Sequence, residues 1–260
     1  MEHYIDVEQL SVSYDKIDII KNMNLQIPKG KITMIIGSNG CGKSTLLKTI
    51  ARVLKPKSGL IKIKGKNIYE QNTKELAKTM AVLPQNPQVP SGLLVKELVS
   101  YGRFPYQSPL KPLSEHDYKI IQWAMEATGV EAFADHPVDA LSGGQRQRAW
   151  ISMALAQETE ILLLDEPTTY LDIAHQLEIL KLLKKLNKES NRTIVMVLHE
   201  LNNACKFADH IIGVKKGSIV FEGKPFDVIT KENMKTIYGI DAIIEPSADQ
   251  SYPICVDFNI

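Results

Sequence analysis

The sequence has few cysteines, no CxxC pair and no long apolar run. Cys41, Cys205 and Cys255 are its only three cysteines and lie far apart, which indicates neither a zinc site nor a disulfide framework. No run approaches the roughly 18 apolar residues of a membrane span, and the first residues lack the basic and apolar regions of a signal peptide. We therefore expect a reduced, soluble, cytoplasmic protein.

An excess of charge of either sign is also missing. The sequence has 31 Lys and Arg residues against 30 Asp and Glu residues, so no basic surface indicates nucleic acid and no acidic tail indicates a solvating role. The 260 residues, of which 44% are hydrophobic, suffice for a sizeable core in one domain or in two small ones.

Short apolar runs rich in β-branched residues alternate with helical patterns, which predicts an α/β fold. Three runs are continuously apolar, as strands covered on both faces are: residues 31–37, 161–167 and 193–199. Residues 4–14 and 60–64 instead alternate with period two. They predict a small antiparallel sheet.

Helical patterns fill much of the remaining chain. Between Ile173 and Leu186 apolar residues recur every three or four positions, which predicts an amphipathic helix with Asp172 as its N-cap. From about residue 90 to 140 the strand signal disappears, and a capping box at residues 114–117 begins one helix. We predict a helical subdomain over about 90–140.

The stretch GSNGCGKST, residues 37–45, matches the pattern GxxxxGK[ST] between a predicted strand and a helix over 45–53. Glycines let backbone N–H groups approach phosphates, and the helix N-terminus adds its positive end. Lys43 would reach the β- and γ-phosphates, and the Ser44 hydroxyl would hold Mg²⁺. We expect these residues to bind the nucleotide: Gly37, Ser38, Asn39, Gly40, Cys41, Gly42, Lys43, Ser44 and Thr45.

Cys41 places a thiol inside this loop, flanked by Gly40 and Gly42. The helix N-terminus and Lys43 would favour an exposed, reactive thiolate. The alternative is that the sulfur points into the core beneath the loop as a small apolar filler.

Asp165 and Glu166 follow the apolar run 161–164. They would lie at the carboxyl edge of the sheet, where ligands of open α/β sheets bind. Asp165 could hold Mg²⁺ through water, and Glu166 could take a proton from an attacking water. A pair of acidic residues that merely caps a strand edge is the alternative, which the buried run before them disfavours.

The stretch LSGGQ, residues 141–145, begins a predicted helix that ends near residue 157. With the phosphate loop and the acidic pair, it resembles the ATP-binding subunits of ATP-binding cassette (ABC) transporters. The resemblance implies a P-loop ABC ATPase with a mixed core sheet, a small N-terminal antiparallel β-subdomain and a helical subdomain.

The resemblance also implies that two copies pack head to tail, so that the LSGGQ loop of one copy closes the ATP bound to the other. N–H groups at the start of its helix would form this second anion site. The residues implied to act in this way are Leu141, Ser142, Gly143, Gly144 and Gln145.

Four further residues match motifs of this family. Tyr14 matches the aromatic residue that stacks on adenine, and Gln85 in LPQNP matches the glutamine that contacts Mg²⁺ and the attacking water. Asp172 matches the aspartate of the loop that crosses the dimer interface, and His199 matches the switch histidine at the γ-phosphate. Each also has a plain structural interpretation: an exposed strand tyrosine, a turn glutamine, a helix N-cap and a strand-end histidine.

Residues 95–107 and 146–180 resemble most closely the ATPases of bacterial iron(III)-siderophore importers, with haem and cobalamin importers as near relatives. This resemblance implies membrane permease subunits as partners. Residues 85 to about 105 would form the groove that receives a cytoplasmic helix of the permease. The resemblance also implies an extracytoplasmic substrate-binding protein as an indirect partner, a location at the cytoplasmic face of the membrane and no nucleic acid. A non-transport ABC ATPase is a further alternative.

The domain organisation follows from the placement of these motifs. We predict one ABC ATPase domain over residues 1–240, with the helical subdomain inserted in it. Residues 241–260 match no motif and are predicted to be a C-terminal extension, a small hairpin of unknown role.

Overall fold

A computed structural model describes residues 3–15, 17–85, 87–88, 90–108 and 112–259. No helix in these ranges is long and apolar enough to cross a bilayer. In chain order the strands and α-helices are β1 (His3–Tyr14), β2 (Ile17–Pro28), β3 (Ile32–Ile36), α1 (Lys43–Ile50), β4 (Ser58–Ile63), β5 (Lys66–Asn67), α2 (Thr73–Thr79), β6 (Met80–Leu83), α3 (Val95–Ser100), α4 (Glu115–Thr128), α5 (Gly143–Ala156), β7 (Ile161–Asp165), α6 (Ile173–Ser190), β8 (Thr193–Val197), α7 (Leu201–Phe207), β9 (His210–Lys215), β10 (Ser218–Gly223), α8 (Pro225–Val228), α9 (Lys231–Tyr238), β11 (Asp241–Pro246) and β12 (Pro253–Asn259).

The chain divides into two compact units. The first contains the described residues up to Gln71 and those from Asn191 onward, and the second contains Asn72–Ser190. The prediction of a single domain with a helical insertion at about 90–140 stays a prediction.

The first unit contains two sheets, a hairpin and the helices α1, α7, α8 and α9. β1 pairs antiparallel with β2 and β4, and β4 pairs with β5, which confirms the predicted small antiparallel sheet. β3 pairs in parallel with β8 and β9, while β9 pairs antiparallel with β10. The core sheet is therefore mixed, and every residue of β3 and β8 is buried, as their continuous apolar runs predict. β11 and β12 form the hairpin predicted after residue 240.

The second unit combines five helices of the described chain with the parallel pair β6 and β7. The predicted capping box is present at the start of α4, where the Ser114 hydroxyl accepts the Asp117 N–H at 3.2 Å and the Ser114 N–H donates to the Asp117 carboxylate at 2.9 Å. Within the described part of 90–140, α3 and α4 are accompanied by short 3-10 helices, one of which spans Tyr101–Tyr106.

Arg103 ties these helices together from a nearly buried position, with 2% of its surface exposed. Its Nε donates to Asp117 Oδ1 at 2.7 Å. Its Nη1 donates to the Ala156 carbonyl oxygen and to Glu158 Oε2, both at 2.8 Å. The guanidinium also lies 4.1 Å from the ring centroid of Tyr106. One charged side chain thus joins the 3-10 helix, the start of α4 and the end of α5.

Candidate functional site

The predicted phosphate loop joins the buried strand β3 to α1. The chain turns at Gly37, whose φ is +151°. A Cβ at Gly37 would lie 2.2 Å from the carbonyl oxygen of Val214 and 2.9 Å from the sulfur of Cys41, so only glycine fits. The start of the loop is therefore packed directly against β9.

The rest of the loop has an exposed rim above a buried floor. Ser38, Asn39 and Gly40 are exposed, and a Cβ at Gly40 would meet no atom within 4 Å. Gly42 has a φ of +108° and is the N-cap of α1, a conformation that glycine adopts without steric cost. Open space beside the N-terminus of a helix is the geometry that receives phosphate oxygens.

Lys43 is held inside this loop, with only 5% of its surface exposed. Its ammonium donates to the carbonyl oxygens of Gly37 at 2.8 Å and Ser38 at 3.0 Å. These carbonyl dipoles stabilise the buried charge. The loop backbone itself therefore fixes the position of the ammonium.

Cys41 does not present its thiol to solvent. It is 5% exposed, and its sulfur lies 4.0 Å from the Lys43 ammonium and beneath Gly37. The expectation that this side chain is exposed is wrong, and the alternative of a buried filler is correct. The physical reason is that Gly37 has no side chain, so the sulfur fills the space that a Cβ would need.

Tyr14 and His199 lie at strand ends of the same unit. Tyr14 is the last residue of β1 and is 44% exposed. His199 is the second residue after β8, is exposed, and is followed at Leu201 by the start of α7. Both rings are accessible, as contact with a nucleotide would require.

The acidic pair lies in the second unit, at the end of β7. Asp165 is 1% exposed and Glu166 is 8% exposed. Glu166 has a φ of +53°, and its Oε2 accepts the hydroxyl of Thr169 at 3.2 Å. A left-handed conformation at a residue other than glycine is strained, and such strain is found most often at functional sites.

The predicted LSGGQ loop begins α5. Ser142 is the N-cap: its hydroxyl accepts the Gln145 N–H at 3.3 Å, and its own N–H donates to Gln145 Oε1 at 3.0 Å. Leu141 is buried. A Cβ at Gly144 would come within 3.2 Å of the Leu171 side chain, which would have to shift slightly to accommodate it. The reciprocal cap fixes the loop and leaves the backbone at the helix start accessible.

Gln85 and the LSGGQ loop line one cavity of about 320 Å³ within the second unit. Gly143 of the LSGGQ loop and Tyr170 are among the other residues that line it. Sequence reasoning missed Tyr170, which is 68% exposed and has a φ of +69°. The feature of the sequence that could have pointed to Tyr170 is its position two residues before Asp172. Asn86 and Val89, which belong to the predicted permease groove, lie outside the described residues.

Asp172 is the N-cap of α6, as predicted. Its carboxylate accepts the His175 N–H at 2.9 Å and lies 2.8 Å from His175 Nδ1. Both contacts hold the pKa of Asp172 below its ordinary value, the backbone hydrogen bond most strongly. The carboxylate is exposed and ionised at neutral pH.

Comparisons with known proteins agree with this arrangement. The family model described as "ABC transporter" matches residues 20–169. The iron(3+)-hydroxamate import ATP-binding protein FhuC of Bacillus subtilis (strain 168) is 52% identical, over 98% of this chain and 95% of that protein. An inward-facing structure described as a metal-chelate type ABC transporter has a TM-score of 0.83 at 28% identity, over 100% and 97% of the two chains. A dimeric bacterial ABC transporter cassette has a TM-score of 0.77 at 33% identity, over 85% and 98%.

Proposed function

The chain belongs to the ABC transporter family as an ATP-binding, ATP-hydrolysing subunit, and from this premise we propose that it powers an importer of iron(III)-siderophores. The observation that carries the proposal is the 52% identity, over 98% of the chain, with a protein named for iron(3+)-hydroxamate import. The match to a metal-chelate type transporter over the whole chain supports the same class of cargo.

The phosphate loop is proposed to bind the triphosphate of ATP. Backbone N–H groups from Gly37 to Thr45 and the Lys43 ammonium would contact phosphate oxygens, and Tyr14 would stack on the adenine. The support is the open rim of the loop, the left-handed glycines and the buried ammonium. The Ser44 hydroxyl lies at the start of α1, where it would hold Mg²⁺.

Hydrolysis is proposed to depend on Glu166, with Gln85 and His199. Glu166 would take the proton of the attacking water, Gln85 would orient that water, and His199 would contact the γ-phosphate. When bound, Mg²⁺ would neutralise charge on the phosphates. Ser44, Asp165 and Gln85 offer hydroxyl, carboxylate and amide oxygens, the ligands that suit it.

We further propose that two copies form a head-to-tail dimer. Ser142, Gly143 and Gly144 of one copy would close the ATP of the other, and Asp172 would lie at the contact between the copies. The capped, accessible start of α5 supports this, and a dimeric cassette is among the similar structures. One chain would supply both halves of a site that it does not complete alone.

The membrane permease is the proposed second partner. The described residues between Gln85 and Pro105 would form part of the surface that receives a cytoplasmic permease segment. The protein would then lie at the cytoplasmic face of the membrane and act with an extracytoplasmic substrate-binding protein.

A reconstituted transporter tests the cargo. The chain would be co-purified with its permease and the complex placed in proteoliposomes with the substrate-binding protein. An iron-loaded hydroxamate siderophore should stimulate ATP hydrolysis and enter the vesicles, whereas haem and cobalamin should not. Uptake of haem or cobalamin in place of the siderophore would show that the cargo class is wrong. ATP hydrolysis without any transport would favour a non-transport ABC ATPase.

A further inference from the structure

A single amide side chain joins α7 to the C-terminal strand β12. Asn202 Nδ2 donates to the Cys255 carbonyl oxygen at 3.1 Å, and the Cys255 N–H donates to Asn202 Oδ1 at 2.9 Å. The amide of Asn202 thus pairs with both the N–H and the carbonyl group of Cys255, as the backbone of a neighbouring strand would. Alanine at this position would remove both bonds.

This contact lies beside a residue of the proposed catalytic machinery. α7 has seven residues, and Asn202 is its second, three positions after His199. Near the other end of the helix, the Lys206 ammonium lies 5.9 Å from the ring centroid of Tyr252. Because so short a helix has little stability of its own, its orientation depends on the contacts that hold it.

Internal contacts join the elements of the segment that holds α7. We define the C-terminal segment as residues 231–259, which contain α9, β11 and β12. Lys235 of α9 pairs with Asp241 of β11 at 3.0 Å, and β11 pairs antiparallel with β12. In the turn between the strands, Asp249 accepts the Ser247 hydroxyl at 2.7 Å and the Ser251 N–H at 3.2 Å. α7 is therefore attached to a hairpin that is itself tied to α9.

We propose that the C-terminal segment sets the geometry of ATP hydrolysis through Asn202, which is a positioning residue. Asn202 holds the start of α7 against β12 and thereby orients His199. The inference rests on the proposed role of His199. It gives a function to the part of the chain after residue 240, which no motif explains.

Steady-state kinetics of ATP hydrolysis test this assignment. Asn202→Ala should lower kcat by about two- to thirtyfold, the range expected for residues that act through a neighbour, with little change in KM for ATP. Asn203→Ala on the same helix and Tyr252→Phe on the same segment are matched controls and should behave as wild type. Thermal unfolding of each variant should be unchanged.

A double substitution separates positioning from a purely structural role. His199→Ala should remove most of the activity, and Asn202→Ala should cause no further loss in that background, because Asn202 acts through His199. The proposal would be overturned if Asn202→Ala lowered kcat in the His199→Ala background by the same factor as in the wild type. It would also be overturned if the fall in kcat of Asn202→Ala came with a lowered unfolding temperature. If His199→Ala is inactive but Asn202→Ala has wild-type kinetics, the role given to Asn202 is wrong and the proposed function is unaffected. If His199→Ala is fully active, the proposed role of His199 in hydrolysis is wrong as well.

Discussion

At the scale of single residues, Gly37 carries the strictest steric requirement of the phosphate loop. A Cβ there would lie 2.2 Å from a backbone oxygen of β9, and backbone cannot move aside as a side chain can. Gly37→Ala should therefore distort the loop and abolish ATP binding, measured by titration calorimetry. Gly65→Ala, outside the loop, is the matched control, since a Cβ there meets no atom within 4 Å and adds only the conformational cost of a left-handed alanine, about 1–2 kcal/mol. Wild-type affinity in Gly37→Ala would contradict the described packing.

Glu166 is the residue on which the chemical step depends in this account. Glu166→Gln keeps the size of the side chain and one acceptor oxygen but cannot act as a base. It should bind ATP normally and lower kcat by about 10²–10⁴, as loss of a general base does. Glu178→Gln, on the exposed face of α6, should leave turnover unchanged. A near-normal rate in Glu166→Gln would show that another group acts as the base.

Residue identities in the site could be predicted from the sequence, but some orientations could not. The pattern GxxxxGK[ST] identifies Lys43 because phosphate binding needs those residue types at that spacing. It does not determine where the Cys41 sulfur points, which depends on the space beneath Gly37. The same holds for Tyr170, which lies beside Gly143 of the LSGGQ loop. No local sequence pattern predicts its exposed side chain or its left-handed backbone.

At the scale of elements, the Arg103 contacts hold the helices of the second unit together. Arg103→Met would leave the Asp117 and Glu158 carboxylates without their cation in a largely buried place. Breaking a buried pair in this way should lower the free energy of unfolding by about 3–5 kcal/mol, measured by urea denaturation. Lys96→Met, which removes an exposed pair with Asp135, is the control and should change stability little. Equal stability of both variants would contradict the role given to Arg103.

Asp117 adds a pH dependence to the same contacts. Burial would raise its pKa, but hydrogen bonds from Ser114 and from Arg103 outweigh burial and hold the pKa below its ordinary value. A carboxyl whose pKa is depressed by folding stabilises the fold above the unfolded value and loses that effect as the pH falls. The stability difference between wild type and Asp117→Asn should therefore shrink below about pH 4. A difference that stays constant from about pH 6 to about pH 3 would exclude this mechanism.

The elements that could be predicted are those with strong local signals. Continuous apolar runs identify β3, β7 and β8, and the capping box identifies the start of α4, because these patterns are read within a few residues. The attachment of β12 to α7 could not be predicted, since the Asn202 to Cys255 pairing spans 53 residues and follows no periodicity. A long-range contact of this kind forms only when the whole unit has folded, so the sequence of either segment alone does not predict it.

At the scale of the whole molecule, the account predicts that one chain is incomplete as an enzyme. Its phosphate loop would bind ATP, while its LSGGQ loop would serve the ATP of another copy. Such sharing would explain why one sequence carries two glycine-rich loops, Gly37 to Thr45 and Leu141 to Gln145. Activity should therefore belong to the pair of chains.

Mixing two inactive variants tests this claim most directly. Lys43→Ala should lack phosphate binding, and Ser142→Arg should block closure of the partner's site, so neither variant alone should hydrolyse ATP appreciably. A heterodimer of the two contains one composite site with both loops intact, and ATP hydrolysis should return when they are mixed. Activity in either variant alone, or no recovery in mixtures where heterodimers are demonstrated by differential tagging, would contradict a site shared between two copies.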